Sequence, residues 1–193
     1  MASPMLIRAD TLVATPWKNG GGSTREIAAE PAGAGLDRFV WRVSLADVAQ
    51  AGPFSRFDGV DRTLVLLAGG GMRLDQDDGE SHLLAHALDR IDFAGETAIH
   101  ASLPDGATRD FNLMVRRGAV RGQVKVWQGP DPVLLNADTA LLFCATGPVD
   151  VQLEDEPALR LNSSDTLRID AARGMRCRQM GAGALLIVEI HHA

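Results

Sequence analysis

The chain is poor in the residues that tie small or secreted folds together. Its 193 residues include two cysteines, Cys144 and Cys177, and five histidines. Two cysteines are too few for a disulfide framework and supply no four-ligand zinc site, so a pair of reduced core thiols is expected. Positive charge is also scarce. The 19 Lys+Arg stand against 25 Asp+Glu, for a net charge of −6, and no basic cluster of the kind that neutralises nucleic-acid phosphates is present. No apolar run approaches the roughly 20 residues of a membrane-spanning helix. The first residues, Met-Ala-Ser-Pro-Met-Leu-Ile-Arg, lack the charged-then-apolar pattern of a signal peptide. Neither nucleic acid nor membrane is therefore expected as a partner, and the cytoplasm is the expected compartment.

Helix signals are few as well. The best is Ser44-Leu45-Ala46-Asp47, an imperfect capping pattern that leads into Val48-Ala49-Gln50 and stops at Gly52-Pro53, enough for one or two turns. What the chain does have is apolar alternation of period two, the mark of half-buried strands. Phe39, Trp41, Val43 and Leu45 share one face of such a segment; Val40, Arg42 and Ser44 share the other. Turn signals such as Gly69-Gly70-Gly71, Pro104-Asp105-Gly106 and Gly181-Ala182-Gly183 separate the segments. With 46% apolar and 23% charged residues, the composition is that of an ordinary globular chain. Its length suits one large domain or two small fused ones, and buries roughly 70% of the extended-chain surface.

A weak internal repeat favours two. Thr63–Ala68, a glycine turn, an alternating strand and Leu88-Asp89-Arg90-Ile91-Asp92 are echoed by Thr139–Cys144, Gly147, an alternating strand and Thr166-Leu167-Arg168-Ile169-Asp170. The segments that follow, Phe111–Arg116 and Leu185–Ile190, match in character. The reading is an all-β chain built of two related barrels in tandem.

The densest polar stretch is Pro16-Trp17-Lys18-Asn19-Gly20-Gly21-Gly22-Ser23-Thr24-Arg25-Glu26-Ile27. Its glycines let the backbone bend closely round something, and Lys18, Asn19, Thr24 and Arg25 are donors for an anion or amide. A flexible loop leading into an edge strand is the alternative. It is not a phosphate-binding Walker loop, because the lysine precedes the glycines. Arg42 and Ser44 share a strand face; if that face lines a cavity, the guanidinium can grip a carboxylate bidentately. Asp61-Arg62 puts an arginine at a barrel mouth, or a pair on the surface. Asp110, Asn112 and Met114 alternate onto one face that suits a mixed pocket. His82 and His86 have helical metal-ligand spacing in a segment that reads as strand or irregular structure. His100 stands alone, so no metal site is expected. No Gly-x-Ser-x-Gly elbow occurs.

Four ordered motifs, Trp17 to Ile27, Trp41-Arg42-Val43-Ser44-Leu45-Ala46, Gly52 to Arg62 and Asp110-Phe111-Asn112-Leu113-Met114, resemble the HutD/Ves family over roughly residues 5 to 116. Asp58 departs from the family, where proline is common. The resemblance implies a bicupin: a cupin-like jelly-roll barrel over 1–118 and a second over 119–193, packed as one compact unit. It also implies a small-molecule-binding or regulatory role in histidine utilisation, with urocanate or N-formylglutamate as ligands. Metal-dependent cupins carry a His-x-His…Glu…His set that this chain does not supply, so a metal-free cavity with no cofactor is expected. The expected ligand residues are Asn19, Thr24, Arg25, Arg42, Ser44, Arg62, Asp110 and Asn112, with Arg42 and Arg62 as the carboxylate clamp. A metal-free isomerase, hydrolase or lyase using Asp110 or Glu26 as base is the rival reading, and a partner-binding module the third. Monomer and homodimer are both compatible with the sequence.

Overall fold

The computed structural model describes residues 4–193, and strands dominate it. In chain order they are β1 (Met5–Ile7), β2 (Ala14–Pro16), β3 (Gly22–Glu30), β4 (Trp41–Val48), β5 (Gly52–Pro53), β6 (Val60–Gly69) and β7 (Met72–Gln76). There follow β8 (Ser81–Leu84), β9 (Arg90–Ala94), β10 (Ile99–Ser102), β11 (Thr108–Arg116), β12 (Val120–Gln128) and β13 (Val133–Leu135). The last are β14 (Thr139–Thr146), β15 (Val149–Leu153), β16 (Leu159–Leu161), β17 (Thr166–Asp170), β18 (Met175–Met180) and β19 (Ala184–His192). A 3-10 turn at Ala9–Thr11 is the one helical element among the described residues, and no helix there is long and apolar enough to cross a membrane. The capping signal at Ser44 forms no helix. Trp41, Val43 and Leu45 pair with both β3 and β11 and bury their side chains, and that tertiary pairing overrides a four-residue local preference.

The chain forms two compact units. One is Val13–Val120; the other combines Arg121–Ala193 with the segment ending at Leu12. An N-terminal barrel over 1–118 is thus corrected at its start. Leu6 lies opposite Leu167 in an antiparallel β1–β17 pair and packs on the core of the second unit. Asp165 fastens the segment there. Its carboxylate accepts the Ala9 and Asn162 amides, both at 2.9 Å, and Arg8 at 2.7 Å.

Within the Val13–Val120 unit, a six-stranded sheet of order β2-β3-β4-β11-β6-β9 faces a four-stranded sheet of order β5-β10-β7-β8. The second unit has a five-stranded sheet, β1-β17-β14-β19-β12, and a four-stranded sheet, β13-β18-β15-β16. The repeat in the sequence becomes a repeat of topology: β11-β6-β9 corresponds to β19-β14-β17, and β5-β10-β7-β8 to β13-β18-β15-β16. The expected barrels do not close. Each unit is a jelly-roll-like pair of open sheets, with its core between the two layers.

Leu64, Leu66 and Ile91 of the first large sheet meet Met72, Leu74 and Ile99 of its small sheet. Each such burial contributes about 1.5–3 kcal/mol. In the second unit Leu142, Leu167 and Ile187 meet Val149, Val151 and Leu161, with both cysteines in the same cluster. Cys144 and Cys177 are free, and burial pushes their thiols up to about 11 and about 12.

The glycine run is an ordered hairpin between β2 and β3. Gly20 takes φ +71°, and the Gly20 amide donates to the Trp17 carbonyl at 3.0 Å. At Gly22 a Cβ would lie 2.3 Å from the Asp47 carbonyl oxygen and 3.0 Å from the Trp17 ring. The close approach is therefore to the chain's own strand and indole. Gly22→Ala should lower stability by about 2–4 kcal/mol in urea unfolding, because backbone must move. Gly20→Ala has open space and should cost about 1–2 kcal/mol, from its left-handed backbone alone.

Candidate functional site

Strand register determines which side chains share the interior of the first unit. Across β4, β11 and β6, Ser44 lies opposite Asn112 and Asn112 opposite Leu64; Arg42 lies opposite Met114 and Met114 opposite Arg62; Ala46 lies opposite Asp110 and Asp110 opposite Leu66. These three rows share a face with the core residues Leu64 and Leu66. Arg42, Ser44, Arg62, Asp110 and Asn112 are thus brought together on the inner face of the six-stranded sheet, as alternation predicts. Trp41 lies on the opposite face and is buried there.

Arg62 is the unusual member, a guanidinium only 9% exposed. Its NH2 group donates to Asn112 Oδ1 at 2.9 Å and NH1 donates to the Ser55 carbonyl at 3.3 Å. Three phenylalanine rings surround it, with centroids 5.4 Å (Phe54), 5.6 Å (Phe57) and 5.0 Å (Phe93) from the guanidinium carbon. Such cation–π contacts partly replace lost hydration. Burial pushes its pKa down to about 10; nearby Asp110 works against that shift and Arg42 adds to it. At neutral pH Arg62 stays charged.

Asn112 passes the network on, its Nδ2 donating to Asp110 Oδ1. Asp110 is 1% exposed. Burial pushes its carboxyl up to about 7, opposed by the Arg62 charge, reinforced by Asp47 and again opposed by the Asn112 hydrogen bond. Asp110 Oδ2, Arg62 Nε and Thr108 Oγ1 are buried with no hydrogen-bond partner among the described residues. Nearer solvent, Arg42 Nε donates to Glu26 Oε2 at 2.7 Å and NH1 to Ser44 Oγ at 3.4 Å. The polar rows therefore run from half-exposed Glu26 inward to buried Asp110.

Thr24 lies opposite Ala46, in the row of Asp110, and its Oγ1 accepts the Trp17 indole N–H at 2.8 Å. Asn19 Oδ1 accepts the Gly21 amide at 3.0 Å, holding the hairpin turn. The hairpin walls a cleft of about 240 Å³ lined by Trp17, Asn19, Gly21, Val48, Phe54 and Ala101. Phe54, one of the rings on Arg62, lines this cleft too. Arg25 does not join the group. It lies opposite Leu45, on the other face of β3, and its guanidinium is paired with Asp47, which Arg109 also engages at 2.6 Å. A second cleft, of about 300 Å³, lies by Asp47, Thr108 and Arg109 at the strand ends. His82, His86 and His100 all sit at exposed positions.

Sequence reasoning did not assign the rings of Phe54, Phe57 and Phe93 to the site. Phe54 and Phe57 fall inside the Gly52 to Arg62 motif, and their clustering just before a strand that begins Val60-Asp61-Arg62 was the available signal.

A carboxyl titrating near 7 in the fold and near 3.8 in the unfolded chain keeps its proton longer when folded. Its contribution to stability is greatest below about 3.8, declines as pH rises, and is fully lost above about 7. Denaturant unfolding between pH 4 and 8 should show this decline, by up to about 1.4 kcal/mol per pH unit. Asp110→Asn should flatten it.

With the geometry in hand, the likeness to known proteins is specific. Residues 9–187 match the family model HutD. An uncharacterized 21.2 kDa protein in the hutC 3′ region of Pseudomonas putida is 39% identical over 170 residues, 88% of each chain. Protein Ves of Escherichia fergusonii is 39% identical over 111 residues, 57% of this chain and 56% of its own. The structure of HutD from Pseudomonas fluorescens SBW25, in a formate condition, matches with TM-score 0.86 at 32% identity, covering 99% of this chain and 100% of that one. An oxalate decarboxylase from Lactobacillus farciminis, at 9% identity and TM-score 0.67, shares the cupin-like fold alone. The chain belongs to the HutD family and is cupin-like in fold.

Proposed function

We propose that this protein binds a small carboxylate metabolite on the inner face of its first unit and reports on, or tunes, flux through histidine breakdown. The observation that carries this reading is Arg62, a buried cation with an unpartnered Nε–H. Isolated buried charge is costly by several kcal/mol and calls for a counter-charge. Asp110 supplies only part of one, since burial favours its neutral form. A carboxylate ligand completes the pairing.

Arg42 and Arg62 flank Met114 in one row, two strand spacings or about 10 Å apart at the backbone. Their planar forks match carboxylate oxygens. Ser44 and Asn112 supply neutral hydrogen bonds that set orientation. Thr24 and Asn19, with Trp17, lie toward the cleft at the hairpin and would meet the far end of a longer ligand. Neither a metal nor a cofactor is needed for such binding, and the protein acts alone or as a homodimer in the cytoplasm.

Calorimetry and thermal shift of chelator-treated protein should test histidine, urocanate, formiminoglutamate, N-formylglutamate, glutamate and formate. One carboxylate should bind, and a ligand at 100 times its Kd should raise stability by about 2.7 kcal/mol. Arg42→Ala and Arg62→Lys should each weaken binding about tenfold to a hundredfold, the loss of one charge-assisted hydrogen bond of about 1.5–3 kcal/mol. Unchanged affinity in both folded variants sinks the clamp. Turnover of any panel member, lost in Asp110→Asn while binding persists, replaces it with an enzyme.

A further inference from the structure

The hydrogen bonds around Asn112 dictate where a proton on Asp110 can sit. Arg62 carries donors only, so the Asn112 atom that meets it is the carbonyl Oδ1. The amide Nδ2 then faces Asp110, and Asp110 Oδ1 is an acceptor. When the carboxyl is protonated, its proton therefore belongs to Oδ2, the oxygen without a partner among the described residues. Arg62 Nε–H is a second free donor on the same inner face. The chain thus offers two buried donors that no residue of its own accepts.

We propose that the carboxylate site is proton-linked: the ligand binds with Asp110 neutral, its Oδ2–H donating to a ligand oxygen while Arg62 Nε–H donates to the ligand's negative charge, so that binding takes up one proton. This rests on the carboxylate-binding reading above and adds how that binding is regulated. Burial and Asp47 favour neutral Asp110, and the Arg62 charge opposes it. From β6 comes Arg62, and from β4 come Arg42, already paired with Glu26 of β3, and Asp47, whose charge disfavours ionised Asp110. Asp47 is itself engaged by Arg25 of β3 and Arg109 of β11. From the opposing four-stranded sheet Leu74, Ile99 and Ala101 reach this core, while Gln76, opposite Ile99, and the exposed His82, opposite Leu74, share their face nearer its edge. An arriving anion adds negative charge to this setting and raises the proton affinity of Asp110 further. A single proton is transferred from solvent to Asp110 Oδ2; no covalent bond to the ligand forms or breaks.

The test uses the full-length protein with formate and N-formylglutamate, neither of which titrates between pH 6 and 9. Binding enthalpies at pH 8 are compared in HEPES and Tris, buffers of different ionisation enthalpy. A buffer-dependent slope near one proton taken up is expected, falling toward zero at pH 6, with affinity dropping nearly tenfold per pH unit above 7. Asp110→Asn, checked for folding by its melting curve, should lose the slope and hold its affinity within about twofold from pH 6 to 8. Binding with no buffer dependence at pH 8 overturns the proton linkage and leaves carboxylate binding standing. Proton uptake that survives in folded Asp110→Asn overturns it as well, since the proton then goes elsewhere. If that variant does not fold, the wild-type slope alone decides. Failure of every carboxylate of the panel above, these two probes included, to bind at pH 6 overturns both readings together.

Discussion

A permanently charged guanidinium sits where a jelly roll would ordinarily place an apolar side chain. Arg62 is on the inner face of β6, between Val60 and Leu64, and is nine-tenths removed from solvent. Taking such a group out of water is tolerable only if the surroundings replace its hydration. Here the replacement is specific. One nitrogen meets Asn112, another the Ser55 carbonyl, and three aromatic faces surround the charge. The Ser55 and Phe57 positions explain why the irregular stretch before β6 is held against the sheet. Asn112 in turn sets the environment of Asp110. Remove the charge at Arg62, and the orientation of Asn112 loses its cause, while Asp110 loses a cation that opposes its protonation.

The two halves of the chain show how one topology can be filled in two ways. Each has a β-strand order that maps onto the other, and each packs a large sheet on a small one. In the second unit the positions facing inward carry Leu, Ile, Val and Cys, and both thiols are held protonated by burial. Gln179, whose amide donates to the Gly129 carbonyl, and buried Glu189, which accepts from Gln123, Lys125 and the Asn136 amide, are polar exceptions. In the first unit the equivalent interior is apolar at one end and polar along the rows of Arg62, Asn112 and Asp110. The same scaffold therefore serves as packing in one half and as a chemical interior in the other.

Much of this was legible in the sequence, and the reason is geometric. Side chains on a strand alternate with period two, so Asp110, Asn112 and Met114 had to share a face, as did Arg42 and Ser44. That those two faces belong to one interior depended on strand neighbours, which alternation within a segment does not reveal. Arg25 illustrates the difficulty. A bulge between Glu26 and Ala28 interrupts the register of β3 with β4, and near an edge strand both faces carry polar residues. The glycine run suits either a backbone bending closely round something or a flexible loop into an edge strand; in the fold Gly22 yields to Trp17 and the Asp47 carbonyl. Open sheets in place of barrels, and the allegiance of the first strand, are tertiary facts. They follow from pairings across more than 150 residues, as between Met5 and Arg168.

That last pairing imposes an order of events. Strand β1 precedes every other strand of the described chain, yet its strand neighbour among the described residues, β17, lies more than 150 residues later. The Asp165 carboxylate that caps Arg8 and Ala9 arrives just before it. The Val13–Val120 unit has all of its own strands in hand by then. In synthesis from N to C terminus, the Val13–Val120 unit has its strands before β17 and β19 exist, so β1 waits for its partner longer than any strand of that unit.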